Sequence, residues 1–231
     1  MTNLPSREAT TSAELVLGID EAGRGSVLGP LVVGGFLVRR DRLDALRRCG
    51  ATDSKALSPS RREEVFASLL GIGRCRAIFV PPVEIDRFVV RRGLNRLEAR
   101  EFARLVSETA PGVAYVDACD PDAARFGRTV CALAGGRVRV VARHHADRDN
   151  RLVGAASIVA KVARDRAVAA LAEELGEELG SGYPSDPRTV AAVRRHVRGT
   201  APVPPWIRGS WSTVQRVKPV RPGPTLEAFG R

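Results

Sequence analysis

The stretch ELVLGIDEAGRGSVLGPLVVGGFLV, residues 14–38, decides the fold of this chain. Its two apolar, β-branched runs, residues 14–19 and 30–38, flank a glycine-rich turn, and this pattern predicts an antiparallel hairpin. The first run leads directly into Asp20 and Glu21. Two carboxylates are therefore expected at the end of a buried strand.

Short apolar runs alternate with helical patterns along the rest of the chain. Further strands are predicted over residues 76–80, 113–116 and 138–142. Helix starts are predicted where an N-cap residue precedes a proline, at Ser58-Pro59, Asp120-Pro121 and Asp186-Pro187. A hairpin followed by alternating strands and helices indicates an α/β fold with a mixed central sheet flanked by helices.

Two predicted helices have distinctive residue patterns, one an apolar face and the other a start made of small residues. Apolar periodicity predicts a helix over residues 95–108, with Glu98 and Glu101 away from its apolar face. A second helical pattern covers residues 152–179 and starts with the small residues GAAS. Small side chains at that position allow another backbone or a ligand to approach the helix closely.

The composition fits one globular domain. The chain has 231 residues, of which 44% are hydrophobic and 27% are charged. We expect a disordered N-terminus over residues 1–13, a domain over 14–217 that ends in a basic helical part, and a flexible proline-rich tail over 218–231. No apolar run approaches the roughly 18 residues of a membrane span, and the polar start lacks a secretory signal, so we expect a cytoplasmic protein.

Cysteine and charge content narrow the function classes further. Four cysteines without a C-x-x-C pair and only three histidines argue against a zinc ribbon or a disulfide framework, so free thiols are expected. The net charge is +11, and from Arg188 onward nine Lys/Arg stand against one acid, Glu227. This one-sided basic region indicates a polyanionic partner; a solvated arginine-rich surface without a ligand is the alternative.

Acidic side chains close two of the predicted strands. Asp20 and Glu21 follow the first strand, and Asp117 follows the strand over residues 113–116. The strand ends of an open α/β sheet form the crevice in which ligands bind. We therefore expect these carboxylates to contribute to a functional site.

Two further acids, Asp147 and Asp149, follow the predicted strand over residues 138–142. Chemistry alone does not choose between them. Several carboxylates that converge without a cation repel one another, and burial then favours their protonated forms. Few histidines and no paired cysteines favour Mg²⁺ or Mn²⁺ over zinc as the cation.

The turn after the acidic pair contains Gly23-Arg24-Gly25. Glycines allow backbone N–H groups to approach a phosphate or a sugar, and the planar guanidinium can bind a phosphate through two hydrogen bonds. A hairpin turn without a ligand would use the same residue types, so this motif alone is not decisive.

Five sequence motifs, taken in order, resemble ribonuclease HII. They are GIDEAGRGSVLGP (residues 18–30), DSK (53–55), YVD (115–117), GAASIVAKVARD (154–165) and GYP (182–184). The segments PPVEID (81–86) and GSGYPSDP (180–187) are similar to the archaeal branch of that family. The resemblance implies an RNase H-like fold. It also implies a metal-dependent endonuclease that cuts the RNA strand of RNA–DNA hybrids and cuts at ribonucleotides embedded in duplex DNA, leaving 5′-phosphate and 3′-hydroxyl ends.

The resemblance also assigns roles to individual residues. The family's four acids correspond to Asp20, Glu21, Asp117 and Asp147, the last chosen over Asp149 by its seven-residue offset to the following helix. Asp20, Glu21 and Asp117 are the expected ligands of Mg²⁺ or Mn²⁺. The residues expected to bind nucleic acid are Gly23, Arg24, Gly25, Lys55 and Tyr183, with Tyr183 as the sensor of the ribonucleotide.

Two positions depart from the family pattern. Ser26 stands where proline usually follows the glycine turn, and Gly154 stands where serine usually starts the helix after Asp147. Neither change removes an acid. The sequence leaves open whether Gly154 loosens the turn that positions Asp147.

The tail and the overall charge leave two further questions. Residues 224–230 resemble a degenerate sliding-clamp peptide, with Leu226 and Phe229 as its apolar anchors; an end that folds back on the domain is the alternative. A non-catalytic basic protein that binds nucleic acid is the rival to the enzyme, and metal dependence separates the two.

Overall fold

Five strands form one mixed sheet in the order β3-β2-β1-β4-β5. The computed structural model describes residues 14–51, 57–197 and 202–218. The strands are β1 (Leu15–Ala22), β2 (Leu31–Arg39), β3 (Arg74–Val80), β4 (Val113–Asp117) and β5 (Arg139–Arg143). β1 and β3 pair antiparallel with β2, whereas β4 pairs parallel with β1 and β5. The predicted hairpin and mixed sheet are confirmed.

Nine α-helices cover and connect these strands within the described ranges. They are α1 (Leu43–Arg48), α2 (Pro59–Leu70), α3 (Pro82–Val89), α4 (Leu94–Thr109), α5 (Ala123–Leu133), α6 (Ala146–Asp149), α7 (Arg151–Leu175), α8 (Pro187–His196) and α9 (Ser212–Val217). In the part of the chain that the structure describes, no helix is both long and apolar enough to cross a membrane. All four cysteines are free thiols, as expected.

Two of the three predicted helix starts are confirmed. Ser58 accepts a hydrogen bond from a first-turn amide of α2, and Asp186 does the same for α8. The third prediction is wrong by two residues, because Asp122 and not Asp120 is the N-cap of α5. Asp120 instead accepts the amide of Asp122 at 2.9 Å, so the chain makes a turn across Pro121 before the helix begins.

The sheet separates two hydrophobic layers. On one face, Leu17 and Ile19 of β1 pack with Phe102 of α4 and Phe126 of α5. On the other face, Val16 and residues of β2 pack with α2 and α7 in a second cluster. Because side chains alternate along a strand, odd-numbered residues of β1 face α4 and even-numbered residues face α7.

The start of α7 lies directly on the backbone of the hairpin. A methyl group on Gly18 of β1 would lie 2.2 Å from the carbonyl oxygen of Leu152, and one on Gly34 of β2 would lie 2.5 Å from that of Ala156. Such distances are far inside van der Waals contact, so both strands need glycine there. The close approach that was predicted from the small residues of this helix is therefore an approach to the β1–β2 backbone.

Among the described residues of the basic C-terminal region, several arginines do not form an open cationic surface. Arg188 pairs with Asp186 at 3.1 Å, Arg195 pairs with Glu177 at 2.9 Å, and Arg208 is fully buried. The acidic partners of Arg188 and Arg195 precede residue 188. They are therefore not included when charges are counted only from residue 188 onward. The concentration of charge in the sequence thus overstates what this region offers to a polyanion.

Candidate active site

Parallel pairing of β1 and β4 brings Asp20 and Asp117 together near the C-terminal ends of these two strands. The register of β1 with β4 pairs Ile19 with Val116, so Asp20 and Asp117 are the next residues along the two strands. Asp20 lies two positions after Gly18 and Asp117 two positions after Tyr115, and both of these residues pack on the α7 side of the sheet. Because side chains alternate along a strand, both aspartate side chains lie on that face. Asp117 Oδ1 also accepts the amide of Ala146 at 3.0 Å, and this bond ties β4 to the start of α6.

The third carboxylate comes from α6. Asp147 is 1% exposed, whereas Asp149 lies at the surface. One oxygen each from Asp20, Asp117 and Asp147 lies within 4.8 Å of the others. The structure thus makes the choice between Asp147 and Asp149 that chemistry alone left open, and it agrees with the residue that the resemblance selected.

Gly154, which follows the turn around Asp147, is surrounded closely by backbone atoms. A methyl group there would lie 3.0 Å from the carbonyl oxygen of Asp147 and 3.2 Å from that of Ala51. The amide of Gly154 donates to the carbonyl of Asn150 at 2.8 Å, so the residue belongs to a regular first turn of α7. The absence of a side chain at this position therefore lets two backbone segments approach the start of α7.

Burial makes the carboxylate cluster unfavourable without a cation. Loss of hydration and, more weakly, the charge of Asp117 raise the pKa of Asp20 to about 6. A hydrogen bond from Ser157 and the charge of Lys161 oppose this rise. Lys161 Nζ donates to Ser157 Oγ at 2.7 Å. Neither of these two residues of α7 was among the predicted site residues, although their spacing of four within a family motif places them on one helix face.

Glu21 occupies the other side of β1. It faces α4 and is not part of the three-aspartate cluster, because neighbouring residues of a strand point in opposite directions. Burial, then the charges of Asp20 and Glu98, raise its pKa well above the ordinary value. Its Oε2 is buried, with no hydrogen-bond partner among the described residues. Such an oxygen is suited to a ligand.

The donor set fits a hard divalent cation. Three aspartate oxygens already converge, and a buried glutamate oxygen on the adjacent residue lacks a partner in the described chain. Carboxylate oxygens are the ligands that Mg²⁺ and Mn²⁺ prefer, and a cation would offset both the repulsion and the lost hydration.

The glycine turn is held in a fixed conformation. Gly23 has a φ of +82°, a conformation that favours glycine, and its amide donates to the Tyr183 hydroxyl at 3.2 Å. Ser26 closes the turn, because its amide and its Oγ both donate to the Gly23 carbonyl, at 3.2 and 2.9 Å. Ser26 thus supplies by hydrogen bonding what the usual proline would supply by its ring.

Arg24 is engaged by the protein itself. Its Nη1 pairs with Glu98, and its Nη2 donates to Asn95 Oδ1 at 2.7 Å. Glu98 is fully buried, although periodicity placed it away from the apolar face of its helix. Its position follows from this ion pair, which joins residues 74 apart in sequence and could not be predicted from local pattern. Both ends of the guanidinium that was predicted to bind phosphate are therefore occupied in the protein alone.

The remaining predicted residues lie in two different situations. Tyr183 is half-buried beside the glycine turn, with its ring under the guanidinium of Arg164 at 4.4 Å. Gly25 has open space where a side chain would be. Lys55 and the apolar anchors of the tail, Leu226 and Phe229, lie outside the described residues.

The raised pKa of Asp20 predicts a pH-dependent stability. Between the ordinary value of 3.8 and about 6, the folded carboxyl binds more protons than the unfolded one, so the free energy of unfolding should fall as pH rises. Across this window the expected loss is roughly 2–3 kcal/mol. Urea unfolding with EDTA at pH 4, 5, 6 and 7 measures it. Asp20→Asn serves as the control, and an equal slope in both proteins would refute the assignment.

Known proteins resemble this chain in sequence and in structure. The sequence profile of the family described as Ribonuclease HII matches residues 17–214. Ribonuclease HII of Methanocella arvoryzae is 42% identical over 203 residues, covering 87% of this chain and 91% of that protein.

Two solved structures share the fold. The ribonuclease H2 from Pyrococcus horikoshii has a TM-score of 0.80 and 39% identity, over 88% of this chain and 97% of that one. The RNase HII in a PCNA:RNase HII complex from Archaeoglobus fulgidus has a TM-score of 0.79 and 38% identity, over 93% and 100%. The expected RNase H-like fold is confirmed.

Proposed function

The chain belongs to the ribonuclease HII family, and on that premise we propose that it cuts the RNA strand of RNA–DNA hybrids and cuts at ribonucleotides embedded in duplex DNA. The observation that carries the proposal is the convergence of Asp20, Asp117 and Asp147 within 4.8 Å, next to a glycine turn that contacts Tyr183. Family membership favours this enzyme over a non-catalytic protein that binds nucleic acid.

The acidic residues provide the chemistry of hydrolysis. We assign Asp20, Glu21 and Asp117 to two bound Mg²⁺ or Mn²⁺ ions, and Asp147 to one of these ions or to the attacking water. A divalent cation would supply charge stabilisation of the phosphate and activation of water. Lys161 provides a positive charge near Asp20 that favours its ionised, ligating form.

The bond changes follow from attack by water on the scissile phosphorus. A new bond forms from the water oxygen to phosphorus as the water gives up a proton to the solvent. The bond to the 3′ oxygen breaks, and that oxygen leaves as a hydroxyl after taking a proton from the solvent. The products carry 5′-phosphate and 3′-hydroxyl ends. If Asp147 does not bind an ion, we assign it the orientation of this water, and its burial beside Asp20 and Asp117 supports that assignment.

Selection for a ribonucleotide requires contact with the 2′-hydroxyl, because DNA lacks this group. We assign the contact to the backbone of Gly23 to Gly25 and to the Tyr183 hydroxyl. Open space at Gly25 leaves the turn accessible, and the hydrogen bond from Gly23 to Tyr183 joins the two recognising elements.

The central experiment compares three duplexes with and without metal. The protein is incubated with a duplex that holds one ribonucleotide, a long RNA–DNA hybrid, and an all-DNA duplex, in Mg²⁺, Mn²⁺ or EDTA. We expect metal-dependent cutting of the first two and none of the third. Binding of all three without cutting in either metal would favour the non-catalytic alternative.

Tyr183→Ala should reduce cutting at a lone ribonucleotide more than cutting of a long hybrid. A lone site offers one 2′-hydroxyl, whereas a long hybrid offers one at every register, so loss of the sensor matters less there. We expect a difference of roughly tenfold between the two losses in kcat/KM, the value of about one hydrogen bond to a well-placed hydroxyl. Equal losses on both substrates would contradict the role given to Tyr183.

We also propose that the tail, residues 218–231, binds a sliding clamp. The Archaeoglobus fulgidus RNase HII forms a complex with PCNA, and Leu226 and Phe229 have the spacing of apolar clamp anchors. Burial of these two apolar side chains against the clamp would give roughly micromolar affinity for it. Titrating a clamp from the same source with the full chain and with a chain ending at Val217 tests this. Loss of binding with catalysis intact would support it, and absent binding in both would refute it.

A further inference from the structure

Two buried arginine side chains lie behind the glycine turn and outside the carboxylate cluster. Arg164 on α7 is 3% exposed, and Arg208, in the segment before α9, is 0% exposed. A buried cation is costly unless its hydrogen bonds are satisfied. Most of the acceptors that these two side chains use are backbone carbonyl oxygens, so the charges fix the course of the chain more than they neutralise acids.

Arg164 touches both elements that are proposed to recognise the ribose. Its Nη2 donates to the Ser181 carbonyl at 2.6 Å, and its guanidinium lies 4.4 Å from the centre of the Tyr183 ring. On the side of the glycine turn, a methyl group on Gly23 would come within 2.9 Å of its Nε. One planar group is thus packed between Gly23 and Tyr183, which are themselves joined by a hydrogen bond.

Arg208 fixes the glycine turn from the opposite side. Its Nη1 donates to the Arg24 carbonyl at 3.0 Å, and its Nε and Nη2 donate to the Gly29 carbonyl at 3.2 and 3.1 Å. Its guanidinium lies 4.9 Å from the centre of the Trp211 ring. The amide of Arg208 also donates to the Val27 carbonyl at 2.9 Å. The segment before α9 therefore bonds to three carbonyls between Arg24 and Gly29, and the first of them lies within the glycine turn.

We infer that Arg164 and Arg208 form an arginine clamp that positions the glycine turn and Tyr183 for discrimination of the ribonucleotide. This inference rests on the proposed function. Both are positioning residues: Arg164 acts through Tyr183 and Gly23, and Arg208 acts through the carbonyls of the turn. The C-terminal segment thereby contributes to specificity without presenting its charge to the nucleic acid.

The geometry of the clamp requires arginine in particular. The guanidinium is planar and directs several N–H groups at fixed angles, whereas a lysine ammonium is a point charge on a flexible stem. Glycine is needed opposite it, because a methyl group on Gly182 would lie 2.5 Å from Arg164 Nη2. The carbonyl of Gly182 also accepts the amide of Val27 at 2.8 Å, so the residues next to Tyr183 contact the segment that follows the glycine turn.

The test uses Arg164→Lys and Arg208→Lys, which retain the charge and remove the planar fork. The kcat and KM values are measured in Mg²⁺ on a duplex with one ribonucleotide and on a long hybrid. We expect kcat/KM on the first substrate to fall roughly 10- to 100-fold, as for a small misplacement of a recognising group, with a smaller fall on the second. Binding of Mn²⁺ alone, measured by calorimetry, should stay unchanged because the carboxylates are untouched.

Arg166→Lys is the matched control. Arg166 lies on the same helix two residues from Arg164, but its side chain is 59% exposed and pairs with Glu63 on the surface. It should retain wild-type selectivity between the two substrates. A double variant, Arg164→Lys with Tyr183→Phe, adds a second criterion: if Arg164 acts through Tyr183, the losses in selectivity should not add.

The outcomes separate this inference from the proposed function. A wild-type protein that does not cut at a ribonucleotide refutes the proposed function. Selective wild-type cutting with lysine variants that match Arg166→Lys refutes the clamp, as do equal losses on both substrates. If a lysine variant does not fold, Arg164→Gln and Arg208→Gln, which keep a hydrogen-bond donor without the charge, are assayed by the same selectivity criterion.

Discussion

Asp20→Asn and Asp117→Asn are each expected to abolish cleavage while the fold stays intact. Both carboxylates belong to the cluster within 4.8 Å, and a neutral amide oxygen binds a hard cation more weakly than a charged carboxylate oxygen does. We expect turnover in saturating Mg²⁺ or Mn²⁺ to fall by roughly 10³-fold or more, since charge stabilisation at the phosphate would be lost. Cleavage of the duplex with one ribonucleotide measures this, and circular dichroism verifies the fold.

The same substitutions should stabilise the metal-free protein. Asparagine removes the cost of burying a charge, which is expressed in the raised pKa of Asp20, and the gain at neutral pH should be about 1–3 kcal/mol. Asp149→Asn is the control, because Asp149 is exposed and lies two residues from Asp147. It should keep wild-type cleavage and stability. Near wild-type turnover of Asp20→Asn in saturating metal would show that the site is wrongly assigned.

Gly18→Ala is expected to cause the largest loss of stability among single methyl additions to the hairpin. The added carbon would lie 2.2 Å from the Leu152 carbonyl oxygen, so α7 must move away from β1. We expect a cost of about 3 kcal/mol, at the upper end for overpacking, which lowers Tm by roughly 6–12 °C in a domain of this size. Cleavage should fall as well, because α7 carries Ser157 and Lys161 next to Asp20.

Gly71→Ala separates this clash from the general effect of replacing glycine. A methyl group on Gly71 would meet its nearest atom, the Ser68 carbonyl oxygen, at an ordinary 3.5 Å. Thermal unfolding of this variant should stay within about 1 kcal/mol of wild type. If Gly18→Ala unfolded at the same temperature as Gly71→Ala, the close contact between α7 and β1 would not be a major contribution to stability.

Periodicity and strand ends were sufficient to predict the frame of the site. The β1–β2 hairpin, the strand that ends at Asp117 and the small residues of α7 were all predicted correctly. Alternation along β1 also explains a separation that was not predicted: Asp20 faces α7 and Glu21 faces α4. Adjacent acids in the sequence thus lie on opposite sides of one strand.

Local pattern failed where a polar group is buried by a distant partner. Glu98 was predicted to lie away from the apolar face of its helix, yet it is fully buried and forms an ion pair with Arg24 of the hairpin. Arg164 and Arg208 likewise counted only as positive charges in the sequence. The acceptors of Arg208 lie 184 and 179 residues away, at Arg24 and Gly29.

The sequence by itself determined the order of strands and helices and the carboxylates that end β1 and β4, because both depend on alternation within a few residues. It left the choice between Asp147 and Asp149 to resemblance, and only the fold buries the first and exposes the second. Only the tertiary structure decided that Arg24 is held by Glu98 and that Arg208 is bonded to the glycine turn. A buried charge is stable only where distant segments supply its hydrogen bonds, and those segments meet only once the chain has folded.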